Sequence, residues 1–124
     1  MAFFDLLAKR RSVRQYTEEP VSRKDLEKIT EAGLMTPSSK NLRSTELLVV
    51  EDRSTLQALA RCKPHFADML NGATAAIVVM GHLDSHAWVE DASLALLAMM
   101  LQAEELGLGS CWVQVRHMVS ETLG

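Results

Sequence analysis

The sequence predicts a single domain that contains both helices and strands. Its 124 residues are enough for one modest core. Two short apolar runs, residues 47–50 and 75–80, have the length and composition of buried strands. Two longer stretches, about residues 23–35 and 87–106, have the length and apolar content of helices. No internal repeat or linker interrupts this order, so residues 1–124 are assigned to one domain.

The first part of the chain predicts two helices joined by a loop. Apolar residues at positions 3, 4, 6 and 7 indicate a short first helix that runs into a cluster of arginines, and residues 13–21 follow as a loop. Ser22 with Asp25 resembles a capping box at the start of the helix over 23–35. Thr36 ends this helix, because a residue before proline avoids the α region.

The rest of the chain predicts two more helices and a third strand. Asp52 or Ser54 can cap a helix that extends to about Ala60. Gly107 is placed as the C′ residue of the long helix over 87–106, and residues 110–115 form the third predicted strand. Ser120 and Glu121 then indicate another helix start shortly before the last residue of the sequence. We therefore expect the chain to be truncated relative to its ancestors.

The long helix indicates a partner subunit. Between Ala92 and Leu101 every residue except Ser93 is apolar, so most sides of this helix must be buried. A domain of this size has few layers with which to bury it, and a homodimer supplies the missing cover. The alternative is a central helix within a monomeric core.

Composition excludes several classes of partner. The formal net charge of -3 and the pI near 5.8 argue against a nucleic-acid surface, which usually carries a basic excess. No apolar run reaches the roughly 18 residues of a membrane span, and the N-terminus lacks the apolar region of a signal peptide. Cys62 and Cys111 form neither a CxxC pair nor a disulfide framework. We expect a cytoplasmic protein without nucleic-acid or membrane partners.

Residues 10–14, called here the arginine segment, are the first candidate site. Arg10, Arg11, Ser12 and Arg14 offer concentrated positive charge, forked donors and a hydroxyl, which suit a phosphate. The alternative is that these basic residues only offset the dipole of the preceding helix.

Two further segments could contribute to a binding site. Residues 37–41, called here the serine turn, offer hydroxyls, an amide and free backbone N–H groups, although such residues also simply form turns. Gly107 and Gly109 lie at a helix-to-strand junction, where two glycines allow tight turning and the close approach of a planar ligand. Gly107 alone is explained equally well as a helix cap.

The sequence does not predict a metal site or a nucleophile. His82 and His86 have a spacing that can bind metal on a helix, but Asp84 and Ser85 indicate a loop there, and no HExxH motif is present. Cys111 has no evident base nearby in sequence and is interpreted as a strand residue.

Taken together, these segments resemble the FMN-dependent nitroreductase family. The resemblance rests on Lys-Arg-Arg-Ser-Val-Arg at residues 9–14, Thr-Pro-Ser-Ser-Lys-Asn at 36–41, Trp-Val-Glu-Asp-Ala at 88–92 and Leu-Gly-Leu-Gly-Ser-Cys-Trp at 106–112. Their order and spacing fit across almost the whole chain. The resemblance implies an α+β, nitroreductase-like three-layer fold, in which helices flank a mostly antiparallel sheet, and an intertwined homodimer.

The resemblance also implies a cofactor and a reaction. Family members bind FMN at the subunit interface and pass hydride from NADH or NADPH to nitroaromatic, quinone or similar acceptors. Because the flavin carries the chemistry, no catalytic side chain is expected. The alternative function is a truncated flavin-binding or dimeric interaction module with little or no turnover, since the family's C-terminal segment is expected to be missing.

The site residues implied by the resemblance lie in the three candidate segments. The arginine segment is assigned to the cofactor, with Arg10 and Ser12 at the phosphate and Arg14 at the N1/O2 edge of the flavin ring, where a cation favours the reduced form. The backbone N–H of Gln114 is expected at N5. The full cofactor set is Arg10, Arg11, Ser12, Arg14, Pro37, Ser38, Ser39, Asn41, Gly109, Trp112 and Gln114.

Overall fold

The computed structural model describes residues 2–116. Four α-helices and two strands are separated by two short 3-10 helices, Ser39–Asn41 and Asp68–Gly72. The elements in chain order are α1 (Phe3–Lys9), α2 (Arg23–Leu34), β1 (Glu46–Val50), α3 (Arg53–Leu59), β2 (Ala76–Met80) and α4 (Trp88–Glu105). The predicted elements up to the long helix are therefore present, with ends that differ by one or two residues.

Local capping explains where these helices begin and end. The Asp25 backbone N–H donates to Ser22 Oγ over 3.1 Å, as the capping-box pattern predicts for α2. Asp52, and not Ser54, caps α3, because its carboxylate accepts from the Thr55 N–H over 2.9 Å. Gly107 follows the C-cap of α4 with φ of 78°, which confirms its predicted C′ position.

The core lies between the sheet and two packed helices. Strands β1 and β2 pair antiparallel, with Val50 opposite Ala76. Ile29 of α2 and Met99 of α4 form the buried cluster against which the inner faces of the strands pack. The helices approach closely at Gly33, where an added Cβ would lie 2.8 Å from Met99 Cγ. Larger residues at position 33 would therefore force α2 away from α4.

The long helix is only partly covered within one chain. Ala95 and Met99 are buried, whereas Leu94 is 46% and Leu97 is 42% exposed. Helix α1 packs against α4 and leaves Phe3, at 64%, exposed as well. A single copy of the described chain therefore leaves apolar side chains of both helices in water.

The predicted third strand over residues 110–115 is wrong for the described chain. Ser110 forms one isolated parallel bridge with Ser12, and residues 111–115 have no strand assignment. A strand requires a continuous backbone partner, and within residues 2–116 only the Val13 N–H pairs with this stretch, at Ser110 O. The predicted cap at Ser120 lies outside the described residues. No helix in residues 2–116 is long and apolar enough to cross a bilayer.

Candidate functional site

The arginine segment begins at the C-terminus of α1. The Arg10 N–H donates to Leu6 O over 3.0 Å and closes the last turn of the helix. Arg11 Nη1 donates to Ala8 O over 2.7 Å and to Arg10 O over 2.9 Å. The guanidinium of Arg11 therefore serves the carbonyl end of the helix, as the helix-dipole alternative predicts for a basic residue here.

The guanidinium groups of Arg10 and Arg14 are arranged differently. Within residues 2–116, neither group makes a hydrogen bond or an ion pair. Arg10 is partly buried, whereas Ser12 and Arg14 are exposed. The segment therefore presents two arginine forks that are not neutralised by a carboxylate of the described chain. Such forks can bind a phosphate through paired charged hydrogen bonds.

The arginine segment is joined to the segment that follows α4. Val13 N–H donates to Ser110 O over 2.9 Å, beside the bridge of Ser12 with Ser110. A Cβ added to Gly109 would lie 2.8 Å from Val13 Cγ1, so the absence of a side chain at 109 lets Val13 pack there. The structure thus brings the first and third predicted segments together, and it gives Gly109 a packing role in addition to its predicted cofactor role.

The remaining residues of the third segment lie further along an extended stretch. The indole of Trp112 is 55% exposed. The carbonyl of Gln114 accepts a hydrogen bond from Lys63 Nζ over 2.8 Å. Within the described part of the chain, no hydrogen bond uses the Gln114 backbone N–H, the group predicted to face the flavin ring.

The serine turn is internally hydrogen-bonded. Ser38 Oγ accepts from the Arg43 N–H over 2.9 Å, and Asn41 Oδ1 accepts from Arg43 Nε over 3.2 Å. The Ser39 N–H donates to both carboxylate oxygens of Asp91 in α4, over 3.0 and 3.2 Å. No hydrogen bond in residues 2–116 joins this turn to the arginine segment. The described chain alone does not connect all three predicted segments.

A cavity of about 630 Å³ lies beside the arginine segment. Its lining includes Val13, Tyr16, Met99 and Cys111, and Gly109 is the predicted site residue that reaches it. Burial raises the pKa of the Tyr16 phenol, nearby Cys111 raises it further, and Arg14 partly opposes both effects. Tyr16 OH donates to the Val13 carbonyl, so a protonated phenol holds Tyr16 to the arginine segment.

The described residues contain no cluster of three or more possible metal ligands. His82 Nε2 lies 3.6 Å from Glu46 Oε2, and His86 Nε2 lies 3.5 Å from Ser39 Oγ. The two histidines whose spacing could bind a metal on a helix therefore contact different groups.

A sequence model described as the nitroreductase family matches residues 7–84, which include the arginine segment and the serine turn. The chain belongs to the nitroreductase family. Three similar proteins agree with this assignment.

The relatives include a protein of Archaeoglobus fulgidus that carries the provisional name NADH dehydrogenase/NAD(P)H nitroreductase. It is 37% identical over 111 residues, covering 86% of this chain and 63% of the relative. A solved structure of an FMN-dependent nitroreductase from Clostridium difficile is 43% identical, with a TM-score of 0.91, and the match covers 94% of this chain and 68% of that one.

A provisionally named nitroreductase from Desulfovibrio desulfuricans, solved in complex with FMN, is 29% identical with a TM-score of 0.75 over 90% of this chain and 67% of that one. These neighbours confirm the predicted nitroreductase fold. The chain spans 63% and 62% of the lengths of the two curated relatives that cover most of it.

Asp91 is a residue of the candidate site that the sequence analysis does not single out. In the sequence it is one residue of the Trp-Val-Glu-Asp-Ala segment that opens the long helix, a common position for a carboxylate. The structure buries it, at 5% exposure, against the serine turn. The available signal was its place directly before the apolar stretch that begins at Ala92, on the same helix as the core residues.

Proposed function

We propose that this nitroreductase binds FMN, with the phosphate held by Arg10 and Ser12. The observation that carries the proposal is the pair of guanidinium groups, at Arg10 and Arg14, that lack a counter-charge in residues 2–116. A buried or half-buried arginine is stabilised when an anion supplies the missing partner. The names of the Clostridium difficile and Desulfovibrio desulfuricans proteins, which include FMN, support this choice of anion.

The donors available in this chain fit the chemistry of FMN. A phosphate accepts forked hydrogen bonds from arginine and a single bond from a serine hydroxyl. The bridge between Ser12 and Ser110 extends this donor set toward the third segment, where Gly109, Trp112 and the Gln114 N–H would line the ring. Arg11, whose guanidinium engages the helix end, adds positive charge to the same surface.

We propose that the protein is an NAD(P)H-dependent oxidoreductase. When bound, FMN supplies the hydride chemistry between NAD(P)H and a nitroaromatic, quinone or similar acceptor. The residues of the chain bind the phosphate, orient the ring and place the Arg14 charge at its edge. No side chain of the chain is assigned a catalytic role. The names of curated relatives as NADH dehydrogenases or NAD(P)H nitroreductases support this activity.

We also propose that two copies form the working unit. Exposed Leu94 and Leu97 on α4, with Phe3 and Phe4 on α1, support an apolar contact between copies. The serine turn has no hydrogen bond to the arginine segment in the described chain, and a second copy could supply its turn to the first copy's arginines. Residues 1–124 would act as one domain of this dimer, in a reducing cytoplasm consistent with free Cys62 and Cys111.

The test of the function is flavin binding followed by turnover. We expect the purified chain to bind FMN in equilibrium titration and to show the visible absorbance of a flavoprotein. NADH or NADPH should then bleach this absorbance under anaerobic conditions, and a quinone or nitroaromatic should restore it. Bound flavin that stays oxidised under excess NADH and NADPH would favour the module with little or no turnover. An absence of flavin binding would contradict the oxidoreductase and leave only a dimeric interaction module.

The dimer has a separate test. Light scattering at micromolar concentration should give twice the 13.7 kDa of one chain. Leu97→Glu should dissociate or unfold the dimer, because an unpaired charge in an apolar contact is costly. Lys24→Glu, on the exposed face of α2, is the matched control. A monomer mass for the unmodified chain would contradict the proposal.

A further inference from the structure

Asp91 is a buried carboxylate whose hydrogen-bond partner is the backbone of the serine turn. It lies in the first turn of α4 and is 5% exposed. The Ser39 N–H donates to both of its oxygens, over 3.0 and 3.2 Å, and within residues 2–116 no other group donates to them. Because burial of a carboxylate is unfavourable without hydrogen bonds, the position of Asp91 depends on the position of the turn, and the reverse holds as well.

The serine turn needs such a contact because its backbone is strained. Lys40 and Asn41 both have φ of 54°, and Arg43 has φ of 50°. Residues with a Cβ rarely adopt this left-handed region, and they remain there only where the surroundings hold them. The hydrogen bond from the Arg43 N–H to Ser38 Oγ holds the turn to the residues that follow it. The Ser39–Asp91 contact holds it to the helical scaffold.

The helix dipole does not explain Asp91. Glu90, in the same first turn of α4, is exposed and offers the dipole a carboxylate without any burial. Asp91 adds to this a specific, two-oxygen contact with one backbone N–H in a segment 52 positions away. The hydrogen bond from the Ser39 N–H to Asp91, called here the clamp, therefore fixes the serine turn to α4.

We propose that Asp91 is a positioning residue, which holds the serine turn in the conformation that contacts the cofactor. This inference rests on the proposed binding of FMN. Asp91 would not touch the cofactor itself. It would act through Ser39, so that the hydroxyls of Ser38 and Ser39 and the Asn41 amide are already in place before the cofactor arrives. A preorganised turn loses less conformational entropy on binding.

The test compares Asp91→Ala with Asp91→Asn and with the matched control Glu90→Gln, which removes a charge from the same helical turn. The first measurement is hydrogen exchange of the Ser39 amide in flavin-free protein, and the second is the FMN dissociation constant from equilibrium titration. We expect Asp91→Ala to speed exchange at Ser39 and weaken FMN binding by about tenfold each. Asn retains one acceptor oxygen and should give smaller changes, while Glu90→Gln should leave both values within about twofold.

The two measurements separate the possible failures. Faster exchange at Ser39 with unchanged FMN affinity would overturn the proposal, because the clamp would then serve the fold alone. Equal effects of Glu90→Gln and Asp91→Ala would assign the change to the helix dipole and overturn it also. If the unmodified chain binds no FMN, the proposed function fails first, and the exchange data still report whether the clamp exists. If Asp91→Ala does not fold, the comparison rests on Asp91→Asn.

Discussion

The arginine segment and the serine turn both follow the C-terminus of a helix, but their polar groups are used in different ways. Arg10 and Arg14 make no hydrogen bond or ion pair within residues 2–116. In the serine turn, Ser38, Ser39 and Asn41 are each engaged by Arg43 or Asp91. An anion can therefore bind the first region without breaking an internal bond, whereas the second region is assembled before any ligand binds.

The difference indicates that the two regions contribute to FMN binding in different ways. Unpaired charge provides affinity, because the first phosphate contact also relieves an unneutralised guanidinium. A strained and hydrogen-bonded turn provides fixed positions for its polar groups, because its hydrogen bonds prevent the movement that free side chains would have. Substitutions in the arginine segment should therefore weaken FMN binding most, through lost charge, and substitutions around the serine turn should weaken it less, through lost preorganisation.

The largest effect is expected inside the arginine segment. Arg10→Ala removes a forked charged contact and should weaken FMN binding by about ten- to a hundredfold, equivalent to roughly 1.5–3 kcal/mol. Arg14→Ala should weaken oxidised FMN less, and it should lower the flavin midpoint potential because the ring loses a nearby cation. Equilibrium and redox titrations of both variants measure the two quantities. Unchanged FMN affinity in a folded Arg10→Ala protein would refute the phosphate assignment.

The next effect concerns the contact that joins two predicted segments. Gly109→Ala places a Cβ 2.8 Å from Val13 Cγ1 and 3.0 Å from Val13 Cβ. Overpacking of this kind should lower the free energy of unfolding by about 1–3 kcal/mol and weaken FMN binding, since the segments must separate. Urea denaturation and FMN titration measure both effects.

A second substitution tests the cause of that loss. Val13→Ala removes the methyl groups that the new Cβ meets, so the double variant should recover part of the lost stability, with a coupling energy on the order of 1 kcal/mol. Strictly additive effects of the two substitutions would show that the Val13 contact is not the reason for glycine at 109.

Sequence patterns predicted the helices well because their signals are local. Ser22 and Asp52 cap the helices that follow them, and Gly107 ends α4, through contacts within a few residues. The strand predicted over residues 110–115 failed because a strand depends on a partner elsewhere in the fold, and composition does not report whether that partner exists.

The candidate site was likewise predictable only where its signals are local in the sequence. The identity of its polar segments followed from residue types in sequence, but their grouping did not. Nothing in the sequence joins Val13 to Ser110 or Ser39 to Asp91, because these hydrogen bonds connect segments far apart in the chain. Nor did the sequence distinguish Arg11, which serves the helix end, from Arg10 and Arg14. These distinctions depend on three-dimensional contacts of side chains that are chemically alike.

A smaller effect is expected at high pH, where the ionisation of Tyr16 should reduce the stability of the arginine segment. The folded-state pKa of Tyr16 is raised above its ordinary value, chiefly by burial. Its stabilising contribution is therefore fully present below about pH 10 and is lost as the pH rises through the raised value. Tyr16→Phe also removes the donor to the Val13 carbonyl, at a cost of about 1 kcal/mol.

The single tyrosine makes this prediction direct to measure. Ultraviolet absorbance reports ionisation of Tyr16 alone, and urea denaturation over the same pH range reports stability. We expect the phenol of the folded protein to ionise above its ordinary pKa, stability to fall over the interval between the ordinary and the raised pKa, and this loss to be absent in Tyr16→Phe. An ordinary phenol titration in the folded protein would contradict the prediction.

The smallest effect is expected at Arg11. It tests whether the arginine segment binds phosphate through individual arginines or through its summed charge. Because Arg11 Nη1 contacts Ala8 O and Arg10 O at the exposed end of α1, Arg11→Ala should lower stability by only a few tenths of a kcal/mol. FMN affinity should fall far less than in Arg10→Ala, although both changes remove one positive charge from neighbouring positions. Arg11→Lys keeps the charge and should restore the stability. If Arg11→Ala and Arg10→Ala weaken FMN equally, the segment binds phosphate through its summed charge, and the distinction between a helix-end arginine and a free fork does not hold.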